Sequence, residues 1–160
     1  MSADAPLAAS ARRVQAAIDA LGIEARVREL GVPARTAQEA ADALGVPVGA
    51  IAKSLVFRAA AAGAVLVVAA GDRRVDERAV GEALGEPIGR ADPAYVREVT
   101  GYAIGGIPPV GHANPTVLFV DQSLERFGTV WAAGGTPHAV FPIAPSALLA
   151  LPGARRIGFG

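Results

Sequence analysis

Apolar positions along the chain recur at two spacings, and the alternation between them predicts the elements. Over residues 10–21, Val14, Ala17, Ile18 and Leu21 form a helical stripe; Ser10 is placed to cap it and Gly22 to end it. Residues 25–30 read as a short strand, followed by a turn at Gly31-Val32-Pro33. Thr36-Ala37-Gln38-Glu39 has the capping-box spacing, which predicts a helix to Leu44 with Gly45 as its stop. The pattern then changes to strands. Lys53-Ser54-Leu55-Val56-Phe57 and residues 64–70 are β-prone runs separated by an Ala-rich turn centred on Gly63, a hairpin signature.

Asp76 is placed to cap a helix to Leu84, and Asp92-Pro93 to open another that Gly101 closes. A Gly/Pro-rich loop covers residues 101–115. Strands are predicted at 116–120, 129–133 and 139–143, a short helix at 145–151 and a last strand at 155–159, with Asp121 capping residues 122–127. Irregular alternation with at least one hairpin predicts a mixed α/β (α+β) domain rather than a regular doubly wound sheet. One domain over residues 10–160 is expected, behind a flexible tail at residues 1–9.

Composition narrows the chemistry. Of 160 residues, 52 % are hydrophobic, which excludes a disordered chain. No apolar run approaches the length of a spanning helix, and the N-terminus lacks the charged-then-apolar order of a signal peptide; a soluble, cytoplasmic protein is expected. There is no cysteine and there are only two histidines, which argues against a disulfide scaffold, a thiolate nucleophile and a multi-histidine metal centre. The 15 basic residues balance 15 acidic ones, unlike a domain that coats nucleic acid by charge alone.

The basic residues are themselves uneven: Lys53 is the one lysine, and the other 14 are arginine. In so Arg-biased a chain a retained lysine is a candidate for a place where a compact ammonium is needed as a point charge, the alternative being a surface lysine that escaped the bias. Alternation puts Lys53 on one strand face with Leu55 and Phe57, and Ser54 with Val56 on the other, so Lys53 is expected at the mouth of an apolar pocket. The second informative segment is the loop Gly101-Tyr102-Ala103-Ile104-Gly105-Gly106-Ile107-Pro108-Pro109-Val110-Gly111-His112. Paired glycines permit close backbone approach and the two prolines stiffen the chain beyond them, a combination suited to holding N–H groups towards an oxyanion or phosphate. It is neither a dinucleotide fingerprint nor a Walker loop. A third segment, Ala132-Ala133-Gly134-Gly135-Thr136-Pro137, ends a strand in small residues. No serine sits in a nucleophile elbow, and His112 and His138 specify no triad. Trp131 and Tyr102 read as packing residues.

Taken in order, residues 51–57, 100–111 and 131–135 resemble the YbaK / prolyl-tRNA synthetase-associated editing family of free-standing aminoacyl-tRNA deacylases, and the resemblance extends over nearly the whole chain. It implies a strongly curved mixed sheet with flanking helices around one pocket. It also implies hydrolysis of the ester joining a wrong amino acid to tRNA, often tRNA for proline, without metal, cofactor or covalent enzyme nucleophile. Lys53 matches the family's essential lysine, Ser54 its small hydroxyl neighbour, and Gly105-Gly106 its substrate-contacting loop. On that reading Lys53 anchors the terminal phosphate or polarises the ester carbonyl, while the Gly106 N–H stabilises the oxyanion. Ile107, Val27, Ala133, Gly134 and His112 are the further substrate contacts expected. The partners implied are the acceptor end of a mischarged tRNA and prolyl-tRNA synthetase or another synthetase. The cysteinyl branch carries tyrosine near Val27 and serine near Ala133, and the alanyl branch histidine near Ala133. Apolar residues at both places here point to another small amino acid, such as serine, threonine or a short non-protein residue. The competing readings are a binding module with the same pocket, holding a tRNA end, nucleotide or synthetase, and a generic small-ester hydrolase.

Overall fold

A computed structural model describes residues 7–159. In chain order the elements are α1 (Ala9–Ala20), β1 (Arg28–Glu29), α2 (Ala37–Leu44), β2 (Ile51–Ala59), β3 (Gly63–Ala70), α3 (Glu77–Leu84), β4 (Ile88–Arg90) and α4 (Pro93–Thr100). They continue with β5 (Val117–Asp121), β6 (Val130–Ala133), β7 (Ala139–Ile143), α5 (Pro145–Leu149) and β8 (Arg155–Ile157). The expected mixed α+β domain is what forms. One eight-stranded sheet runs β1-β7-β6-β2-β3-β5-β8, with β4 added beside β2.

Local signals act close to where they stand in the chain. Thr36 accepts the Glu39 N–H while the Glu39 carboxylate takes the Thr36 N–H, completing the capping box. Asp76 and Asp92 cap α3 and α4 through the N–H groups of Ala79 and Tyr95. Asp121 does more than cap the 3-10 turn after it. One of its oxygens takes the N–H and hydroxyl of Ser123, and the other takes the Ala70 N–H, tying the end of β3 to β5 from a site 1 % exposed. β3 is buried from Ala64 to Ala70, as expected of a central strand covered on both faces.

Three expectations need correction. Ser10 does not cap α1: the helix starts at Ala9 without a side-chain cap, and its register is set by burial of Ala11, Val14 and Ile18. The strand expected over 25–30 shrinks to Arg28–Glu29. Gln15 of α1 takes the Val27 N–H and donates to the Ala25 carbonyl, so a helix side chain satisfies backbone that a neighbouring strand otherwise would. β4 has no sequence signature, being three residues that extend the sheet at the far end of β2. Of the expected tail, residues 1–6 lie outside those described, while Leu7 packs on the core and Ala9 already belongs to α1.

Candidate active site

The two edges of β2 are built differently. Along one, β2 pairs antiparallel with β3 without interruption from Ala52 to Ala59. Along the other, β6 pairs in parallel with Ile51 and Ala52, and β4 pairs antiparallel with Phe57, Arg58 and Ala59. Between them lies a gap facing Lys53, Ser54, Leu55 and Val56. Ile51 gives its carbonyl to the Gly71 N–H on the β3 side, so alternation turns the backbone of Ser54 and Val56 towards the gap.

Two adjoining cavities open there. The first, of ≈ 250 Å³, is lined by α2 and the turn before it, by residues 51–55, and by Ile104, Gly105, Ile107, Ala133, Ala139 and Val140. Alanine is the commonest residue of its walls: Ala34, Ala37, Ala40, Ala52, Ala133 and Ala139. The second, of ≈ 380 Å³, shares Lys53, Ser54, Leu55, Ile104 and Ile107 with the first and adds Arg74, Arg90 and Glu77. Arg35 stands at the first cavity, its Cγ within 3.7 Å of where a Cβ on Gly105 would lie. The lining therefore holds Arg35, Lys53, Arg74 and Arg90 against the single carboxylate of Glu77, on a chain whose formal net charge is zero. Among the described residues Lys53 makes no ion pair. Ser54 Oγ is buried without a hydrogen-bond partner, an unsatisfied group at the heart of the cleft.

The glycine-rich loop enters this cleft as a tight turn. Gly106 donates its N–H to the Ala103 carbonyl at 3.1 Å, and Gly105 at the third turn position has φ +97°. Ile104 before it has negative φ, as in a type II turn, whose third position favours glycine. Gly106 is required for a different reason. A Cβ there would lie 2.7 Å from Thr136 Cα, so the two glycine loops pack backbone against backbone. Ile104, at the turn's tip between the cavities, is 58 % exposed, unusual for an isoleucine beside a cleft.

With this geometry in hand, residues 32–151 match the family model of the aminoacyl-tRNA editing domain. The chain belongs to that family. It is accordingly an enzyme of the aminoacyl-tRNA deacylase class, and its mixed α+β fold is that of its relatives. A solved structure described as a candidate trans-editing enzyme for prolyl-tRNA synthetase is 47 % identical, superposes with a TM-score of 0.90, and covers 96 % of this chain and 98 % of its own. The uncharacterized protein YwhH of Bacillus subtilis is 36 % identical over 76 % of this chain and 78 % of its own length. A candidate Cys-tRNA(Pro)/Cys-tRNA(Cys) deacylase of Enterococcus faecalis, EbsC, is 24 % identical over 72 % of this chain and 71 % of its own.

Within this editing domain the three segments singled out from sequence converge. Lys53, Ser54, Gly105, Ile107 and Ala133 line the first cavity together. Gly106 supports it from behind, and because its N–H is engaged by Ala103 it is not the free donor expected for an oxyanion; Gly105 is the loop glycine whose N–H is given no backbone acceptor. Val27 and Gly134 are not at the cavity wall. Val27 is 7 % exposed in the main core, and Gly134 gives its N–H to the Ala139 carbonyl. His112 lies on the other side of the loop, in a separate depression with Pro109, Val110 and Leu118. Sequence reading missed Arg35, Arg74, Arg90 and Ile104, four residues that only the fold brings to Lys53. Among the described residues no cluster of three or more metal-ligating side chains occurs, and no helix is long and apolar enough to cross a membrane.

Proposed function

We propose that this editing domain acts in trans, hydrolysing the ester of a small amino acid mischarged onto tRNA, with tRNA for proline or a related tRNA as the carrier. The observation that carries this is the two-part cleft at the β2 gap: an alanine-walled cavity of ≈ 250 Å³ joined through Lys53 to an arginine-rimmed one. The first has the size and polarity for a small side chain; the second suits the terminal nucleotide and its phosphate. Lys53, between them, serves both functions of the reading, anchoring the phosphate or polarising the ester carbonyl. The likeness to a trans-editing protein for prolyl-tRNA synthetase supports the choice of tRNA, and a synthetase contact with it.

In the reaction, water or a hydroxyl of the tRNA attacks the ester carbonyl carbon, and negative charge collects on the carbonyl oxygen. The ammonium of Lys53 and the Gly105 N–H, which has no backbone acceptor, stabilise that charge. The bond from the carbonyl carbon to the ribose oxygen then breaks. The ribose oxygen takes a proton, giving tRNA with a free hydroxyl. Where water attacks, one of its protons goes to the ribose oxygen, the other to solvent, and the amino acid leaves as its carboxylate. Where a tRNA hydroxyl attacks, the aminoacyl group moves to that hydroxyl and a following attack by water releases it. Because the ester is activated, positioning and charge stabilisation suffice without an enzyme nucleophile. Specificity falls to the cavity: its short alanine side chains leave room for the substrate side chain, and the unpartnered Ser54 hydroxyl offers a hydrogen bond to a polar one. Serine and threonine are thereby favoured as the misacylating residues.

Release of labelled amino acid from a panel of mischarged tRNAs, with wild type and Lys53→Ala side by side, tests this. Rapid release of one or two small amino acids, abolished by the substitution, is the expected result. No release from any of them by the folded protein overturns the proposal and favours a binding role for the cleft.

A further inference from the structure

We propose that His112 is a positioning residue, holding the loop of residues 105–109 from behind in the shape that presents the Gly105 N–H to the substrate. This rests on the reading of that loop as the oxyanion donor and extends it to a residue outside the cleft. Pro108 is buried, and its carbonyl accepts a hydrogen bond from His112 Nε2 at 2.6 Å. A carbonyl only accepts, so Nε2 carries the proton. In the neutral ring Nδ1 is then a bare acceptor, and it is buried with no donor facing it. The loop is thus held at two points, Gly106 against Thr136 and Pro108 on His112. A third tie closes its far end, where the Tyr102 hydroxyl donates to the Gly111 carbonyl at 2.9 Å. Pro108 and Gly105 are so close along the chain that a shift at the His112 anchor passes directly to the turn.

The surroundings make the anchor dependent on charge state. The Tyr102 ring centroid is 6.1 Å from that of His112, and Arg13 stacks over the Tyr102 ring at 4.9 Å. Besides His112, the residues lining the depression behind the loop, Asn114 and Thr116 among them, include no acid or base. No carboxylate is therefore at hand for an imidazolium. Burial holds the His112 pKa below the ordinary histidine value, opposed by the bond to Pro108. A second proton would reside on Nδ1, as a buried N–H without an acceptor. Protonation leaves the Nε2–H bond to Pro108 in place; its cost is the buried, unpaired Nδ1–H, so as pH falls through the depressed folded-state pKa the ring is driven to leave its site and takes the anchor with it. Because that pKa lies below the unfolded value, the associated stability is complete above the unfolded pKa and is lost on acidification.

The test compares His112→Leu, which removes the donor, with His112→Gln, which restores an amide N–H without a titrating group. On the mischarged tRNA cleaved best by wild type, His112→Leu should lower kcat about 10-fold with KM within about 2-fold, and His112→Gln should recover to within about 3-fold. The acid limb of the wild-type kcat profile should disappear in His112→Gln. Independently of activity, ring ¹⁵N shifts should show the Nε2–H tautomer in wild type, and the amide resonances of residues 104–107 should move in His112→Leu but not in His112→Gln. Equal kinetic losses in both variants, a loss confined to KM, or an Nδ1–H tautomer would overturn the proposal. If wild type releases no amino acid while Lys53→Ala is equally inert, the deacylase reading fails instead, and the resonance measurements still decide whether His112 shapes the loop.

Discussion

The β3 edge of β2 is paired along its whole length, whereas the opposite edge is broken between β6 and β4. The first edge carries the fold: Val65, Leu66, Val67 and Val68 of β3 are at most 1 % exposed. To the second we assign the proposed chemistry. A sheet that leaves Lys53 to Val56 without a strand neighbour on that edge forgoes ladder hydrogen bonds and makes room for the cleft. There a lysine and an orphaned hydroxyl, on alternate faces of the strand, line the same two cavities. On the proposed function, the contrast sets residues expected to hold the fold apart from residues expected to act on the substrate.

The sharpest test of that separation is a pair of substitutions. Lys53→Ala should lower kcat/KM by about 100–1,000-fold, the range seen when a single stabilising group is removed from a developing oxyanion, while the melting temperature stays within about 2 °C. Phe119→Ala, on β5 beside the closed edge and 1 % exposed, should do the reverse. Its expected cost is about 3–5 kcal/mol of stability, with near-normal activity per folded molecule at low temperature. Thermal melts and single-turnover deacylation on both variants read the two effects. A Lys53→Ala protein that unfolds, or a Phe119→Ala protein that is folded but dead, would erase the distinction.

Much of the framework was legible in the sequence because its signals are local. The capping box at Thr36 and Glu39, the caps at Asp76 and Asp92, the glycine at the β2–β3 turn and the alternation that divides Lys53 from Ser54 each lie within a few residues of what they determine. The open side was legible only in part. Lys53 stood out as the lone lysine and Gly105-Gly106 as a permissive pair, but which glycine N–H is free depends on the bond from Gly106 to Ala103. β4 is too short to show a period, yet without it the gap has no far wall. Val27 and Gly134 were drawn towards the site by the resemblance, whereas packing places Val27 in the core and the bond to Ala139 fixes Gly134 in a turn. The arginines were invisible for the opposite reason: a chain of balanced charge gives no hint that three of its 14 arginines meet one lysine across a cleft.

Those arginines allow the open edge to be dissected further. Arg74 and Arg90 reach the cleft from α3's approach and from β4, and nothing in the core depends on their exposed side chains. Replacing both by Gln should raise KM for the mischarged tRNA about 10-fold, leave kcat within about 2-fold, and flatten the dependence of log KM on log salt. A change in kcat with an unaltered salt slope would move them from binding the tRNA to organising the site.

Ser54 gives the smallest effect and the finest discrimination. Its hydroxyl is buried and unpartnered, so in the empty protein Ser54→Ala removes a desolvated group that gains nothing. The folded state should be unchanged or stabilised by up to about 1 kcal/mol, since an unsatisfied buried polar group costs about 1–3 kcal/mol. With substrate bound the same hydroxyl has a use, and losing it should be felt only by esters that can pair with it. Deacylation of seryl and threonyl esters should fall about 10-fold relative to the alanyl ester on the same tRNA, one hydrogen bond's share of discrimination. Competition between paired substrates in one reaction measures that ratio without reference to enzyme concentration. Equal losses on all three esters would mean that Ser54 supports Lys53 instead of reading the side chain, and the polar selectivity of the alanine-walled cavity would have to come from the backbone of the open edge.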